Sequence, residues 1–219
     1  MERFGITERG DAAHHIATLT HDAPLYDGCV WITKAPHAFV NISLPQNVIL
    51  HCTITGFGSS KIEPGVRRPT VELIAYHQLV SRYGGERVIL RVDPIVPTDR
   101  GLETARWVIA QRRGRVRISY LDLYPHVKQR FTAASIQLPW TSFHAPNRPL
   151  LPNTEVCSEP DLPCTGCISE RDFRAIGLPA PDTSSRKGQR AACGCLASKT
   201  ELLTERKQCS HGCLYCYWR

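Results

Sequence analysis

Residues 88–122 read VILRVDPIVPTDRGLETARWVIAQRRGRVRISYLD, and they contain the clearest signal of the fold class. The apolar run at 88–92 predicts a buried strand that ends at Asp93-Pro94. Residues 101–111 then have the pattern of a helix, and residues 116–122 predict the next strand. Because two strands separated by a helix need a crossover connection, the stretch predicts a pair of parallel strands.

The same alternation extends over most of the first 134 residues. Residues 29–33 and 48–55 predict two earlier strands, and residues 70–83 and 126–134 predict helices. The apolar stripe expected along the helix at 70–83 consists of Val71, Leu73, Ile74, Leu79 and Val80. Roughly four or five strand–helix units are too few for a closed eight-stranded barrel. The predicted fold class is therefore α/β, as a partial TIM-like (β/α) barrel or an open sheet.

Polar residues stand at the carboxyl ends of the predicted strands. In parallel sheets with helical crossovers, binding and catalytic groups gather at that end. The residues there are Thr33, Lys34, Thr55, Arg91, Asp93 and Asp122. Thr55 is a candidate cofactor contact, and Lys34, Arg91, Asp93 and Asp122 are candidate catalytic residues that would orient a cofactor or substrate. The alternative for each is a capping or turn role, which Asp93 before a proline would fit.

A second kind of sequence begins near Gln137. Prolines follow one another closely, and they block regular structure. Eight of the ten cysteines lie between Cys157 and Cys216. A segment so poor in apolar periodicity builds little core alone, and metal cross-links are the physical alternative. We therefore expect a partial barrel at residues 1–136 and a cysteine-rich, loop-rich metal-binding segment at 137–219.

The N-terminal residues contain no apolar signal-peptide core, and no apolar run approaches the roughly 18 residues of a membrane-spanning helix. We therefore expect a cytoplasmic protein without a membrane partner, whose thiols stay reduced. In a reduced compartment, ten cysteines indicate metal binding or redox chemistry.

The formal net charge of the chain is +7. The densest basic run consists of Arg112, Arg113, Arg115 and Arg117. A positive patch of this kind would suit nucleic acid or a phosphorylated substrate. The alternative is a solvated loop, which is the usual role of a short charge run.

The last cysteines have the spacing C-x3-C-x2-C, formed by Cys209, Cys213 and Cys216. Three thiolates on one short loop can hold three corners of a [4Fe-4S] cluster, which normally takes four cysteine ligands. One iron then stays open, and Gly212 would let the loop turn tightly around the cluster. The alternative is a structural zinc ion held by these cysteines together with His211.

This spacing, with an aromatic residue directly before the last cysteine, resembles the radical SAM signature. The resemblance implies that S-adenosylmethionine (SAM) chelates the open iron through its amino and carboxylate groups. It also implies that Tyr215, at the aromatic position, lies near the adenine of SAM.

The other cysteines of the second segment are Cys157, Cys164, Cys167, Cys193 and Cys195. Four of the five could close a structural zinc site or an auxiliary iron–sulfur cluster. Because soft thiolates suit both, the ligand type does not choose between them. The alternative is a set of free thiols or partial ligands. Cys29 and Cys52, in predicted strands, are expected to be buried packing residues.

Four segments resemble an uncharacterised radical-SAM-related family whose cysteine cluster lies at the C-terminus, as if circularly permuted. They are Trp31-Ile32-Thr33-Lys34, Thr53-Ile54-Thr55-Gly56-Phe57-Gly58 with Glu63-Pro64, Arg91-Val92-Asp93-Pro94-Ile95, and Cys193-Gly194-Cys195 with 209–217. The resemblance implies that Cys157, Cys167, Cys193 and Cys195 form the second thiol set, with Cys164 to spare. Members of the family open with a further strand. We find no counterpart before Tyr26, so we expect the barrel to lack a strand or to be completed in another way.

The resemblance implies an enzyme that cleaves SAM reductively at a [4Fe-4S] cluster. The resulting radical would act on an unknown substrate, and a nucleic acid is one candidate. Such an enzyme needs an electron donor of the flavodoxin or ferredoxin type. The alternative hypothesis is a non-catalytic zinc or iron–sulfur module that binds nucleic acid. It predicts salt-dependent binding and no cleavage of SAM.

Overall fold

The computed structural model describes residues 3–179, 192–195, 199–203 and 209–218. Within these residues, seven strands form one sheet. The strands are β1 (Phe4–Ile6), β2 (Gly28–Thr33), β3 (Val48–Thr53), β4 (Val88–Ile95), β5 (Val116–Tyr120), β6 (Glu155–Val156) and β7 (Lys199–Glu201). The helices in the same residues are α1 (Ile16–Asp22), α2 (Pro69–Tyr83), α3 (Asp99–Ala110), α4 (Pro125–Ala133) and α5 (Glu170–Arg174).

All neighbouring strands are parallel, in the order β6-β5-β4-β3-β2-β1-β7. From β1 to β6 each strand lies beside the next one in the chain, whereas β7 returns to pair with β1. The protein is therefore a mixed α/β protein with a half-barrel sheet, consistent with the predicted partial (β/α) barrel. The segment 137–219 contributes both edge strands to this sheet.

The strand that the sequence was expected to lack is present. β1 lies between β2 and β7, with Phe4 paired to Gly28 and to Lys199. The expectation that no strand precedes Tyr26 was therefore wrong. A strand of three residues is too short to give a periodic pattern, so nothing in the apolar spacing revealed it.

Helix α2 begins at Pro69, where its missing N–H costs nothing, and is followed by Gly84 at φ +84°. The predicted apolar stripe was wrong at two positions, because Val71 is 39% exposed and Ile74 is 61% exposed. The other three positions, Leu73, Leu79 and Val80, are buried as predicted, and Tyr76 is also on the buried face.

The two faces of the sheet pack against different partners. Cys29 and Cys52 lie in the large core that the sheet shares with the helices, and the prediction of buried packing residues is confirmed. Burial raises the pKa of both thiols. A second apolar cluster contains Phe4 and Ile49, and the Phe173 ring of α5 packs 4.2 Å from that of Phe4. The short helix α5 thus covers part of the sheet that the first helices leave open.

The basic run does not form one surface patch. Arg115, directly before β5, and Arg117, within it, are buried and form ion pairs with Glu155 and Asp172. For these two arginines, the predicted surface patch and the alternative of a solvated loop were both wrong. Among the described residues, no helix is long and apolar enough to cross a membrane.

Candidate metal centre

A cavity of about 740 Å³ lies at the carboxyl ends of the strands. Its wall contains every predicted metal-binding cysteine except Cys164. It also contains the predicted residues Lys34, Arg91, Asp93, Gly212 and Tyr215. The fold therefore gathers residues from both halves of the chain around one space, as the parallel-sheet argument predicts.

Four of these cysteines form what we call the inner group: Cys157, Cys167, Cys193 and Cys195. The sulfurs of Cys157, Cys167 and Cys195 all lie within 4.8 Å of one another. The thiol of Cys193 forms a hydrogen bond with the thiol of Cys195. A tetrahedral zinc site with Zn–S bonds of about 2.3 Å places its sulfurs about 3.8 Å apart. The three sulfurs are thus close enough to share one ion or one cluster.

Hydrogen bonds between the thiols shift the pKa values of the inner-group cysteines in opposite directions. Bonds from Cys157 and Cys167 lower the pKa of Cys195 to about 7, and a bond from Cys195 lowers the pKa of Cys193 to about 7. The pKa of Cys157 is raised, first by its bonds to Cys167 and Cys195 and then by burial. Two members are therefore close to the thiolate form that binds metals.

Close backbone contact brings the inner group together. Gly166, at φ +82°, packs against Gly194, and a Cβ on Gly166 would lie 2.6 Å from the carbonyl carbon of Gly194. The amide of Cys167 also donates to the sulfur of Cys195 over 2.8 Å. Cys157 follows β6 directly, and its amide donates to Ile118 of β5.

Arg117 contacts the backbone of the inner group through its buried guanidinium. Its guanidinium donates to the backbone carbonyl of Cys167 and forms ion pairs with Glu155 and Asp172. It also donates to Nε2 of His51 over 3.2 Å. Burial, and then the charge of Arg117, lower the pKa of His51, which is therefore a neutral acceptor.

Cys164 lies apart from the inner group. Its sulfur accepts a hydrogen bond from the backbone amide of Glu159 and donates to the carbonyl of the same residue, both over 3.0 Å. It is not among the residues that line the cavity. The role of Cys164 as a metal ligand stays a prediction. The geometry favours the four cysteines of the inner group as the ligands.

The remaining cysteines form the tail group: Cys209, Cys213 and Cys216. All three line the cavity, and Gly212 between them has φ +64°. The described cysteines contain no disulfide. Burial raises the pKa of Cys213 to about 12, and Lys34 opposes this rise while the sulfurs of Cys209 and Cys216 add to it.

The tail loop docks on the connection between β3 and α2. The amide of Gly65 donates to the carbonyl of His211 over 2.9 Å, and that of Leu214 donates to Ile62 over 3.0 Å. A Cβ on Gly65 would lie 2.5 Å from the carbonyl oxygen of Ser210, so only glycine allows this approach.

Glu63 ties three predicted residues together. Its buried carboxylate accepts hydrogen bonds from Nζ of Lys34 over 2.9 Å, from the hydroxyl of Thr55 over 2.7 Å and from the hydroxyl of Tyr215. The Lys34 ammonium also lies 4.9 Å from the centre of the Tyr215 ring. Burial works against the charge of Lys34, but Glu63 outweighs it and raises the pKa. Thr55 thus contacts Glu63 and is not part of the cavity wall.

Asp11 was missed by the sequence reasoning. Its buried carboxylate accepts from Nε2 of His211 and from the amide of Lys34, both over 2.7 Å, and from the amide of Ala13 over 2.9 Å. Despite burial, the bond from His211 lowers the pKa of Asp11. A helix-capping pattern at Asp11 is the one local signal, and it does not reveal a partner in the tail loop.

A different metal arrangement is also present. Ligand atoms of His14, Cys209 and His211 lie within 4.8 Å of one another. The zinc alternative had combined His211 with the whole tail group, whereas this arrangement joins it to His14 from the N-terminal region.

The remaining predicted residues differ in position. Arg91 forms an ion pair with Asp93, which also accepts from Ser119, and all three line the cavity. Asp122 is buried outside the cavity wall, where His144 contacts its carboxylate over 2.7 Å.

Comparison with known proteins gives a family but no activity. No curated protein and no solved structure matches the chain. A family model described as a domain of unknown function, DUF1848, matches residues 11–218. Because the match covers nearly the whole sequence, the chain belongs to the DUF1848 family.

Proposed function

We propose that this protein is an iron–sulfur enzyme of the radical SAM type. In this proposal the tail group holds a [4Fe-4S] cluster with one open iron. One observation carries it: three cysteines from one short loop line the same cavity as Lys34, Arg91 and Asp93. That cavity lies where parallel α/β folds keep their sites.

The donor set fits such a cluster. Thiolates are the ligands that iron–sulfur clusters take, and the loop offers three of them. SAM has an amino group and a carboxylate that suit the fourth iron. When bound and reduced by a flavodoxin- or ferredoxin-type donor, the cluster would supply the one electron that breaks the bond between the sulfonium sulfur and C5′ of SAM, which releases methionine and leaves a 5′-deoxyadenosyl radical.

The chain's own residues would hold the loop in place and exclude water. Glu63 fixes Lys34 and Tyr215 in one buried network, and Asp11 anchors His211. Cys213 and Tyr215 are themselves buried, which protects a reactive intermediate from solvent. The Tyr215 ring would provide an aromatic wall for the adenine, as the resemblance implies.

The inner group would hold a second metal centre, either an auxiliary iron–sulfur cluster or zinc. Support comes from its compact geometry and from its two thiols of lowered pKa. Because the inner group also lines the cavity, its metal would form part of the wall around the substrate. Reduced thiols in both groups suit a cytoplasmic location.

The second candidate is a non-catalytic zinc module. The observation that favours it is the approach of His14, Cys209 and His211. The bond between Asp11 and His211 is of the kind that orients zinc-bound histidines. The net charge of +7 would then serve nucleic-acid binding.

Anaerobic protein reconstituted with iron and sulfide, reduced with dithionite and given SAM, tests the proposal. We expect 5′-deoxyadenosine by mass spectrometry, its loss in Cys213→Ala and its retention in Cys164→Ala. Protein that keeps zinc after reconstitution and leaves SAM intact would contradict the proposal and favour the zinc module.

A further inference from the structure

We infer that Thr53, Arg91 and Ser158 form a subsite in the cavity for a carboxylate of the molecule on which the enzyme acts. The inference deepens the proposed function by naming a substrate class. The binding itself does not need cleavage of SAM.

Three buried polar atoms in the cavity wall carry the inference. They are Oγ1 of Thr53, Nε of Arg91 and Oγ of Ser158, and none has a hydrogen-bond partner among the described residues. Thr53 is 3% exposed and Ser158 is 5% exposed. Buried polar groups in proteins are nearly always paired. A fourth unpartnered atom, Nε2 of His126, belongs to α4 in the same wall, and the other three therefore indicate a ligand that supplies their partners.

The fold brings the three residues to one region. Thr53 and Arg91 are register partners on β3 and β4, so their side chains are neighbours on the same face of the sheet. Ser158 comes two residues after the end of β6, next to Cys157, whose amide bonds to β5. The subsite thus draws on the neighbouring strands β3 and β4 and on the segment after β6, which β5 separates from β4.

The chemistry of the three atoms selects an acceptor. The Nε–H of Arg91 can only donate, and the hydroxyls of Thr53 and Ser158 can each donate as well. An oxygen that accepts from a guanidinium edge belongs most favourably to an anion. The ligand group is therefore an anionic oxygen group.

The surrounding charges select a carboxylate over a phosphate. Asp93 already pairs with Nη2 of Arg91 and is fixed by Ser119. Because Asp93 already pairs with Arg91, and the inner-group sulfurs add negative charge, a dianion would be repelled more strongly than a singly charged carboxylate. The carboxylate can still accept hydrogen bonds from Nε of Arg91 and from the two hydroxyls.

The carboxylate is not that of SAM. In the proposed function the carboxylate of SAM is taken by the open iron on the tail group. The subsite instead adjoins the inner group through Cys157 and Ser158. A cavity of about 740 Å³ is within the size range of small-molecule sites and leaves space beside the tail group.

Isothermal titration calorimetry of the anaerobically purified protein tests the subsite. The probes are benzoate, benzamide and inorganic phosphate, each with and without saturating SAM. We expect benzoate to bind more tightly than benzamide and phosphate, and to bind with or without SAM. Arg91→Lys, Thr53→Val and Ser158→Ala should each weaken benzoate about tenfold, the scale of one hydrogen bond to a charged group. Thr18→Val, on an exposed face of α1, should bind as the wild type does.

The inference would be overturned by no preference for benzoate over benzamide, by phosphate binding at least as tight, or by unchanged affinity in folded Thr53→Val and Ser158→Ala. Loss of benzoate binding in the presence of SAM would also overturn it, because the site would then be that of SAM itself. Absence of SAM cleavage with benzoate binding intact would contradict the proposed function alone.

Discussion

The inner and tail groups differ in how the chain assembles them. The inner group comes from three separate stretches of the chain, and its thiols form hydrogen bonds with one another. The tail group comes from one loop. Hydrogen bonds to Asp11, Glu63 and Gly65, which lie elsewhere in the chain, hold this loop in place. The first is therefore a product of the folded sheet, whereas the second is a local motif docked onto it.

The difference separates the expected roles. A site assembled over long sequence distances links its metal to the folding free energy. A site on one docked loop can lose its metal while the sheet stays folded. Substitutions in the inner group should thus affect stability first, and substitutions in the tail group should affect chemistry first.

The largest effect is expected from removing an inner ligand. Cys167→Ala should abolish metal binding by the inner group and remove the folding free energy that this metal supplies. Cys164→Ala should retain the metal, because the Cys164 sulfur bonds the Glu159 backbone instead. Elemental analysis and thermal unfolding measure both outcomes. Equal metal loss in the two variants would place Cys164 in the group.

The next effect is expected at Arg117. Arg117→Met leaves Glu155 and Asp172 short of a buried partner and should lower the free energy of unfolding by about 3–5 kcal/mol. Arg174→Met, which breaks an exposed ion pair with Glu170, should cost about 0–1 kcal/mol. Urea unfolding at equal ionic strength compares the two. Similar costs would show that the buried network does not support the inner group.

A smaller effect is expected from the contact between glycines. Gly166→Ala combines a left-handed backbone with a clash against Gly194, and should cost about 2–4 kcal/mol and loosen the inner metal. Gly177 also has a positive φ, but a Cβ added there would meet nothing within 4 Å. Gly177→Ala should therefore lower the free energy of unfolding by about 1–2 kcal/mol. If chemical denaturation gives the same cost for both, the close approach is not what holds the two loops together.

The smallest effect is expected in the tail group. Tyr215→Phe removes the hydroxyl that donates to Glu63 and should cost about 1 kcal/mol. It should also lower the iron retained by the tail group while leaving the inner metal in place. Tyr26→Phe, a half-buried tyrosine outside the cavity, is the matched control. Loss of inner metal in Tyr215→Phe would contradict the separation of the two groups.

Sequence reasoning succeeds where the relevant residues are close together in the chain. The strands at 29–33 and 88–92 and the C-x3-C-x2-C loop are local patterns, and the structure contains each strand and directs the loop to the cavity. Asp11 could not be found in this way, and Glu63 was found only as part of a resembling segment without a role, because their partners in the tail loop lie 200 and 152 positions away.

The same limit explains the basic run. Arg115 and Arg117 looked like surface charges, because a sequence does not display acidic partners that lie 40 and 55 positions away. Alternation along a strand places both residues on one face, and the sequence alone does not tell which face is buried. Residues whose roles depend on tertiary pairing therefore need the structure.

The proposed function requires an open [4Fe-4S] cluster on the tail group beside a separate inner metal centre. The decisive measurement is the iron and sulfide content of anaerobically reconstituted protein, compared between the wild type and Cys213→Ala. The account predicts that the variant loses about four irons, the content of one such cluster, and keeps the inner metal. A variant with the full iron and sulfide content of the wild type would contradict it.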